Sequence, residues 1–201
     1  MSNTNTAPRK DSLIIYVVLA FIAGFLSGAA FAVFKMGPET ETAVTKQQSN
    51  MSEQQIQAIA HLEQEVTGNP DRFQAWTQLG NLYYDTGQYP KAVKAYEKSL
   101  ELHSGNANIW TDLGVMYRRT NQPEKAIEAF DKAISMDPSH EISRLNKGIV
   151  LMYDLDDVDG AIDSWEGLLK INPDAKTGNG DSIREFVDSV KEQRKSQKKS
   201  E

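Results

Sequence analysis

The sequence predicts an all-α protein, with an N-terminal transmembrane helix followed by a short α-solenoid and a C-terminal capping helix. Two observations predict it. The stretch Trp76-x2-Leu79-Gly80-x2-Tyr83 returns after 34 residues as Trp110-x2-Leu113-Gly114-x2-Tyr117, and Ala92 and Tyr96 return at the same offset as Ala126 and Phe130. Self-similarity at that period marks stacked helix pairs, none of which can bury its apolar face alone. The second observation is an uncharged apolar run of 23 residues over 12–34, where about 20 helical residues suffice to span a hydrocarbon core.

The 201 residues accommodate one domain with appendages. A net charge of -6 argues against nucleic acid as a partner. The charge is uneven: residues 1–35 carry +2 and residues 191–201 carry +3, which leaves -11 on residues 36–190. A partner steered to that segment by charge is therefore basic. Cysteine is absent, which excludes disulfides and thiolate chemistry.

Arg9 and Lys10 precede the apolar run, and Glu39 and Glu41 follow it. Basic flanks stay in the cytoplasm. Residues 1–11 are expected to be a cytoplasmic N-terminus, 12–34 a single pass through a bacterial inner membrane, and the rest periplasmic. Ala30-x-Ala32 offers a rival cleavage site, but the run is longer than the apolar part of a signal peptide. Ala20, Gly24, Gly28 and Ala32, four apart, form a ridge that would let helices approach closely in lipid, although such residues are common in membrane helices. Residues 35–52 are polar and aperiodic, and read as a flexible tether.

The array occupies 53–194. Residues 53–70 form a half-repeat, with Ile56, Ile59, Leu62 and Val66 at helical spacing. Full repeats follow at 73–104, 107–138 and 141–173. In the first, Gly87 suits a left-handed cap and Pro90 the first turn of the next helix. The third gains one residue between Gly148 and Ala161, placed most naturally in Asp154–Asp159. A capping helix spans 181–194, started by Asp181 or Ser182 and striped by Ile183, Phe186, Val187 and Val190. Residues 195–201 form a basic tail.

These motifs, with Leu100, Ala133 and Pro138 and the third unit's Gly148, Ala161, Trp165 and Pro173, resemble the tetratricopeptide repeat (TPR) family. The resemblance implies a TPR-like solenoid that binds a protein or peptide along its first helices. By register that surface begins with Gln74, Thr77, Asn81, Tyr84 and Asp85. It continues through Asn108, Thr111, Val115, Arg118 and Arg119, and ends with Ile142, Leu145, Ile149 and Met152. It is polar at one end and apolar at the other, which suits an amphipathic segment. Packing of Ile142, Leu145 and Ile149 on the capping helix is the bland reading. A family subset grips a terminal carboxylate with Lys, Asn and Arg; here Asn81 fits, but Thr77, Asp112 and Ile142 depart from it. Arg118 and Arg119 could still anchor a carboxylate.

A single anchor before a small array is similar to inner-membrane accessory proteins of c-type cytochrome biogenesis. That resemblance implies a membrane-anchored scaffold, chaperone-like, which holds an apocytochrome or another envelope protein. The alternatives are a homo-oligomeric structural organiser and an ancillary subunit of a secretion translocon.

No enzyme, cofactor or metal site is expected. Asp157, Asp159 and Glu166 fit parts of a calcium loop, but its first ligand position is Leu155. His61, His103 and His140 are far apart in sequence. Trp76, Trp110 and Trp165 read as core by their offsets, whereas Tyr84 and Tyr153 read as interface candidates.

Overall fold

The computed structural model describes residues 51–198. Its helices are α1 (Glu53–Gly68), α2 (Phe73–Asp85), α3 (Tyr89–Leu102), α4 (Ala107–Arg119), α5 (Pro123–Met136), α6 (Glu141–Tyr153), α7 (Val158–Ile171) and α8 (Ile183–Lys198). Helix α1 starts at a capping box: the Gln55 N–H donates to the Ser52 hydroxyl, and the Ser52 N–H donates to the Gln55 side chain. Contacts are densest within the pairs α2/α3, α4/α5 and α6/α7, and consecutive pairs stack on one another.

Each pair closes over a glycine. Gly80 faces the Tyr96 ring, Gly114 the Phe130 ring and Gly148 the Trp165 ring. A Cβ on Gly114 would lie 2.6 Å from Phe130 Cε1, so no other residue fits without displacing the aromatic. The turns also repeat. Gly87 and Asn121 take φ values of 72° and 58°, and the hydroxyls of Thr86 and Thr120 bond back to Leu82 O and Met116 O at 2.7 and 2.9 Å. In the third pair the left-handed residue is Asp156, at φ 54°. Its first helix ends at Tyr153, in register with Asp85 and Arg119, so the extra residue lies within 154–156. Leu155 packs inward there.

Two contacts join one unit to the next. The Trp76 indole donates to Pro70 O at 2.8 Å and that of Trp110 to Ser104 O at 3.0 Å. Arg144 Nη2 takes that role on Pro138 O at 3.0 Å, and Arg184 Nη2 on Pro173 O at 3.2 Å. In the second contact, the Tyr83 hydroxyl donates to Glu63 and that of Tyr117 to Glu97. Lys147 pairs with Asp131, and Lys191 with Glu166, from the same acidic register. Helix α8 is thus a fourth first helix. Ile183 and Val187 are buried as Ile109 and Leu113 are. Asp188 stands at the glycine position, where a following second helix would have to pack.

Several expectations change. Trp165 is buried, but Trp76 and Trp110 are only half-buried, because their indole N–H groups reach turn carbonyls. Helix α8 runs on to Lys198, so residues 195–198 continue the cap. The membrane helix expected at 12–34 lies outside the described residues. Among those described, no helix is long and apolar enough to cross a membrane. At 13 to 16 residues the helices span about 20–24 Å, and each carries charge. Over the described residues the fold class is corrected to an all-α TPR-like solenoid, none of whose helices is long and apolar enough to cross a membrane. The expected bilayer contact, inner-membrane location and periplasmic placement rested on that helix, and no described helix supports them.

Gly114→Ala is expected to destabilise the fold by about 1–3 kcal/mol through overpacking. Gly68→Ala, with nothing within 4 Å of its Cβ, should leave stability unchanged or raise it. Urea midpoints of the two variants check this.

Candidate protein-binding groove

The first helices lie side by side, so their outward positions form one surface. Bonds between α4 and the start and end of α6 hold it: the Asn108 amide oxygen meets His140 Nε2 at 2.8 Å, the Thr111 and Ser143 hydroxyls are 2.6 Å apart, and Arg118 pairs with Asp154. His140 also caps α6, its Nδ1 accepting from the Ser143 N–H.

These bonds occupy several residues expected to meet a ligand. Thr111 is buried. Thr77 is half-buried, its hydroxyl 2.6 Å from that of Ser99. Arg118 is engaged by Asp154, and Arg119 sits over the Tyr89 ring, 5.8 Å from its centroid. Gln74, Asn81, Tyr84 and Asn108 are exposed, and Val115 packs beside Phe130. On α6, Leu145, Ile149 and Met152 are half-buried on the cluster around Trp165, while Ile142 and Tyr153 are 58% and 61% exposed. Ile142, Ile149 and Tyr153 fall on one helical face and form an apolar stripe.

Sequence reasoning left two groups out of the site. Tyr96 is buried as a ring, yet its hydroxyl donates to Asn81 Oδ1 at 2.7 Å on the groove side. Burial raises its pKa, and the charges of Asp112 and Asp85 raise it further. Asp112 is exposed as a residue, but the protein around its carboxyl displaces part of the water that would stabilise its charge. That desolvation pushes its carboxyl up to about 6. The signal that could have found it was its position where carboxylate-gripping relatives place asparagine.

The other acids are committed elsewhere. Asp157 Oδ1 accepts from the Gly160 N–H at 2.9 Å and caps α7, and Asp159 pairs with Arg194 at 2.8 Å. Among the described residues no group of three or more His, Asp or Glu is placed to hold a metal. Three crevices of about 280–380 Å³ open at one repeated register, beside Trp76, Arg144 and Arg184. None of the three is lined by a groove residue.

Asp112 makes stability pH-dependent in a known direction. Its pKa is higher folded than unfolded, so the folded state binds the proton more tightly. Stability should fall as pH rises from about 4 towards 6. Asp112→Asn is expected to flatten that slope and to equal or exceed the native urea midpoint at neutral pH, measured across the window.

Two tetratricopeptide repeat models match residues 71–139 and 111–176, together more than half of the chain. Among curated proteins none matches. Similar solved structures include MamA from Desulfovibrio magneticus RS-1, at 22% identity and TM-score 0.56, covering 62% of this chain and 70% of that one. The first TPR of Spaghetti (RPAP3), bound to the HSP90 peptide SRMEEVD, is 17% identical at TM-score 0.53, covering 60% of this chain and 91% of that one. The Sgt2 TPR domain from Aspergillus fumigatus is 22% identical at TM-score 0.53, covering 63% and 82%. These likenesses establish the fold alone. They correct the expected kinship with inner-membrane accessory proteins of cytochrome biogenesis, for which no match exists among them. The chain belongs to the tetratricopeptide repeat family.

Proposed function

We propose that this non-catalytic repeat protein is a scaffold that binds a polypeptide segment of a partner protein along its first helices. The observation that carries the reading is the exposed pair Ile142 and Tyr153, on one face of α6 with half-buried Ile149 between them, on a surface whose units are joined by internal bonds. A preformed surface lowers the ordering cost of capturing an extended segment. The peptide-bound TPR among the similar structures supports the mode of binding. Its carboxylate-ended ligand does not transfer, because Thr77, Asp112 and Ile142 replace the residues that would grip that end.

The expected role in envelope or c-type cytochrome assembly is corrected. It rested on the membrane helix and on a kinship that neither the family models nor the similar structures named above support, and an apocytochrome client and a lipid partner go with it. The alternative of a homo-oligomeric organiser fits the likeness to MamA better. The structure supplies one observation for it: α1, in the register of a second helix, opens the described residues, and Ile56 there is 40% exposed.

Ile142→Glu and Tyr153→Glu together, both at exposed positions, are expected to weaken partner-peptide binding by about tenfold or more while leaving the circular dichroism spectrum unchanged. Unchanged affinity would sink the groove reading. Sedimentation of the chain over a concentration range tests the second reading, which requires assemblies that Ile56→Glu dissolves.

A further inference from the structure

We propose that Asn179 is a site of spontaneous covalent modification, where the backbone nitrogen of Gly180 displaces ammonia from the side-chain amide and leaves an isoaspartate in the turn that seats α8. The reaction needs an asparagine followed by a residue whose main-chain nitrogen can approach unhindered. The chain has one Asn-Gly step, Asn179-Gly180. Both residues are exposed in the loop between α7 and α8. Gly180 takes φ 91°, and a Cβ built on it would meet nothing within 4 Å, so neither a side chain nor the fold crowds its nitrogen. Among the described residues the Asn179 amide has no hydrogen-bond partner.

The other described asparagines are withheld from this reaction. Asn81 accepts from the Tyr96 hydroxyl, Asn106 caps α4, Asn108 meets His140, and Asn146 donates to Ile142 O. Asn69 and Asn172 precede Pro70 and Pro173, which have no N–H to give up. Asn121 is exposed at φ 58°, but the next residue is Gln122, which carries a side chain and whose N–H donates to Tyr117 O at 2.9 Å.

Water is the sole co-reactant. Gly180 N loses its proton and bonds to Asn179 Cγ, the Cγ–Nδ2 bond breaks, and Nδ2 leaves as ammonia. Water then opens the five-membered succinimide. Attack at Cγ gives aspartate, and attack at the main-chain carbonyl gives isoaspartate, in which the backbone runs through the side chain. The sum is asparagine plus water giving acid plus ammonia. One bond opens first: the Gly180 N–H donates to Thr177 O at 2.9 Å, within an exposed turn that can open without unfolding the array.

The turn also fixes where α8 begins. The Thr177 N–H donates to Asp181 O at 2.9 Å, the Ile183 N–H to Ala175 O at 3.0 Å, and Lys176 forms an antiparallel bridge with Ser182. Ile183 and Val187 then bury in the cluster around Trp165, whose ring meets that of Phe186 edge-on at 5.2 Å. An isoaspartate adds a methylene to the main chain between Thr177 and Asp181. The loop then no longer matches those bonds, and α8 loosens from the third unit. The same cluster supports Leu145, Ile149 and Met152 from beneath the groove.

The test holds the full-length chain at mildly alkaline pH, native and in urea. It follows each asparagine by peptide mass mapping, and isoaspartate by isoaspartyl methyltransferase labelling. In the native chain Asn179 should convert before any other described asparagine, isoaspartate in excess, at a rate that rises with pH because hydroxide removes the Gly180 proton. Asn179→Gln should lose the label at that peptide. The urea midpoint of the isoaspartate form should fall below that of the unaged chain. Freshly prepared Asn179→Asp, which adds the charge without the methylene, should match the unaged chain. An Asn179 that stays intact in the native chain while it converts in urea overturns the proposal, because the turn then protects it. So does faster loss at another described asparagine. An unchanged midpoint for the isoaspartate form, or an equal fall in Asn179→Asp, overturns the part assigned to the lengthened turn.

Discussion

An aromatic ring laid on the bare backbone of a glycine sets the geometry of every helix pair. Tyr96 on Gly80, Phe130 on Gly114 and Trp165 on Gly148 bring each second helix closer than any Cβ would permit. That spacing fixes where the first helix sits, and the groove is made of first helices. In α8 the same register holds Asp188, an exposed acid in place of the glycine.

The joints between units show one architecture served by different chemistry. A turn carbonyl is met by an indole in the first two units and by a guanidinium in the last two. An acid on each second helix is met by tyrosine hydroxyls twice and by lysines twice. What persists is the need to satisfy a polar atom at the joint. The third unit therefore looks degenerate in sequence and regular in space.

The groove inherits its character from positions that the packing leaves unconstrained. The residues that name the family point into the core or the joints, so they say little about a ligand. Of the outward positions, those near the joints between first helices are spent on holding them together, as Thr111 and Arg118 are. Those further out, Asp85, Asp112, Ile142 and Tyr153 among them, give the surface its graded polarity.

The sequence by itself determined the repeat length, the glycine and turn positions and the extra residue in the third unit. These follow from local rules: period, capping and the exclusion of side chains at Gly80 and Gly114. Tertiary structure alone decided that Trp76 and Trp110 are half-exposed donors, that Thr111 is buried and that α8 is a fourth first helix. It also decided that the Asp112 carboxyl is desolvated. Each of those depends on contacts between units far apart in the chain. A 34-residue period says where a side chain lies on its own helix, but not which neighbouring group it will find there.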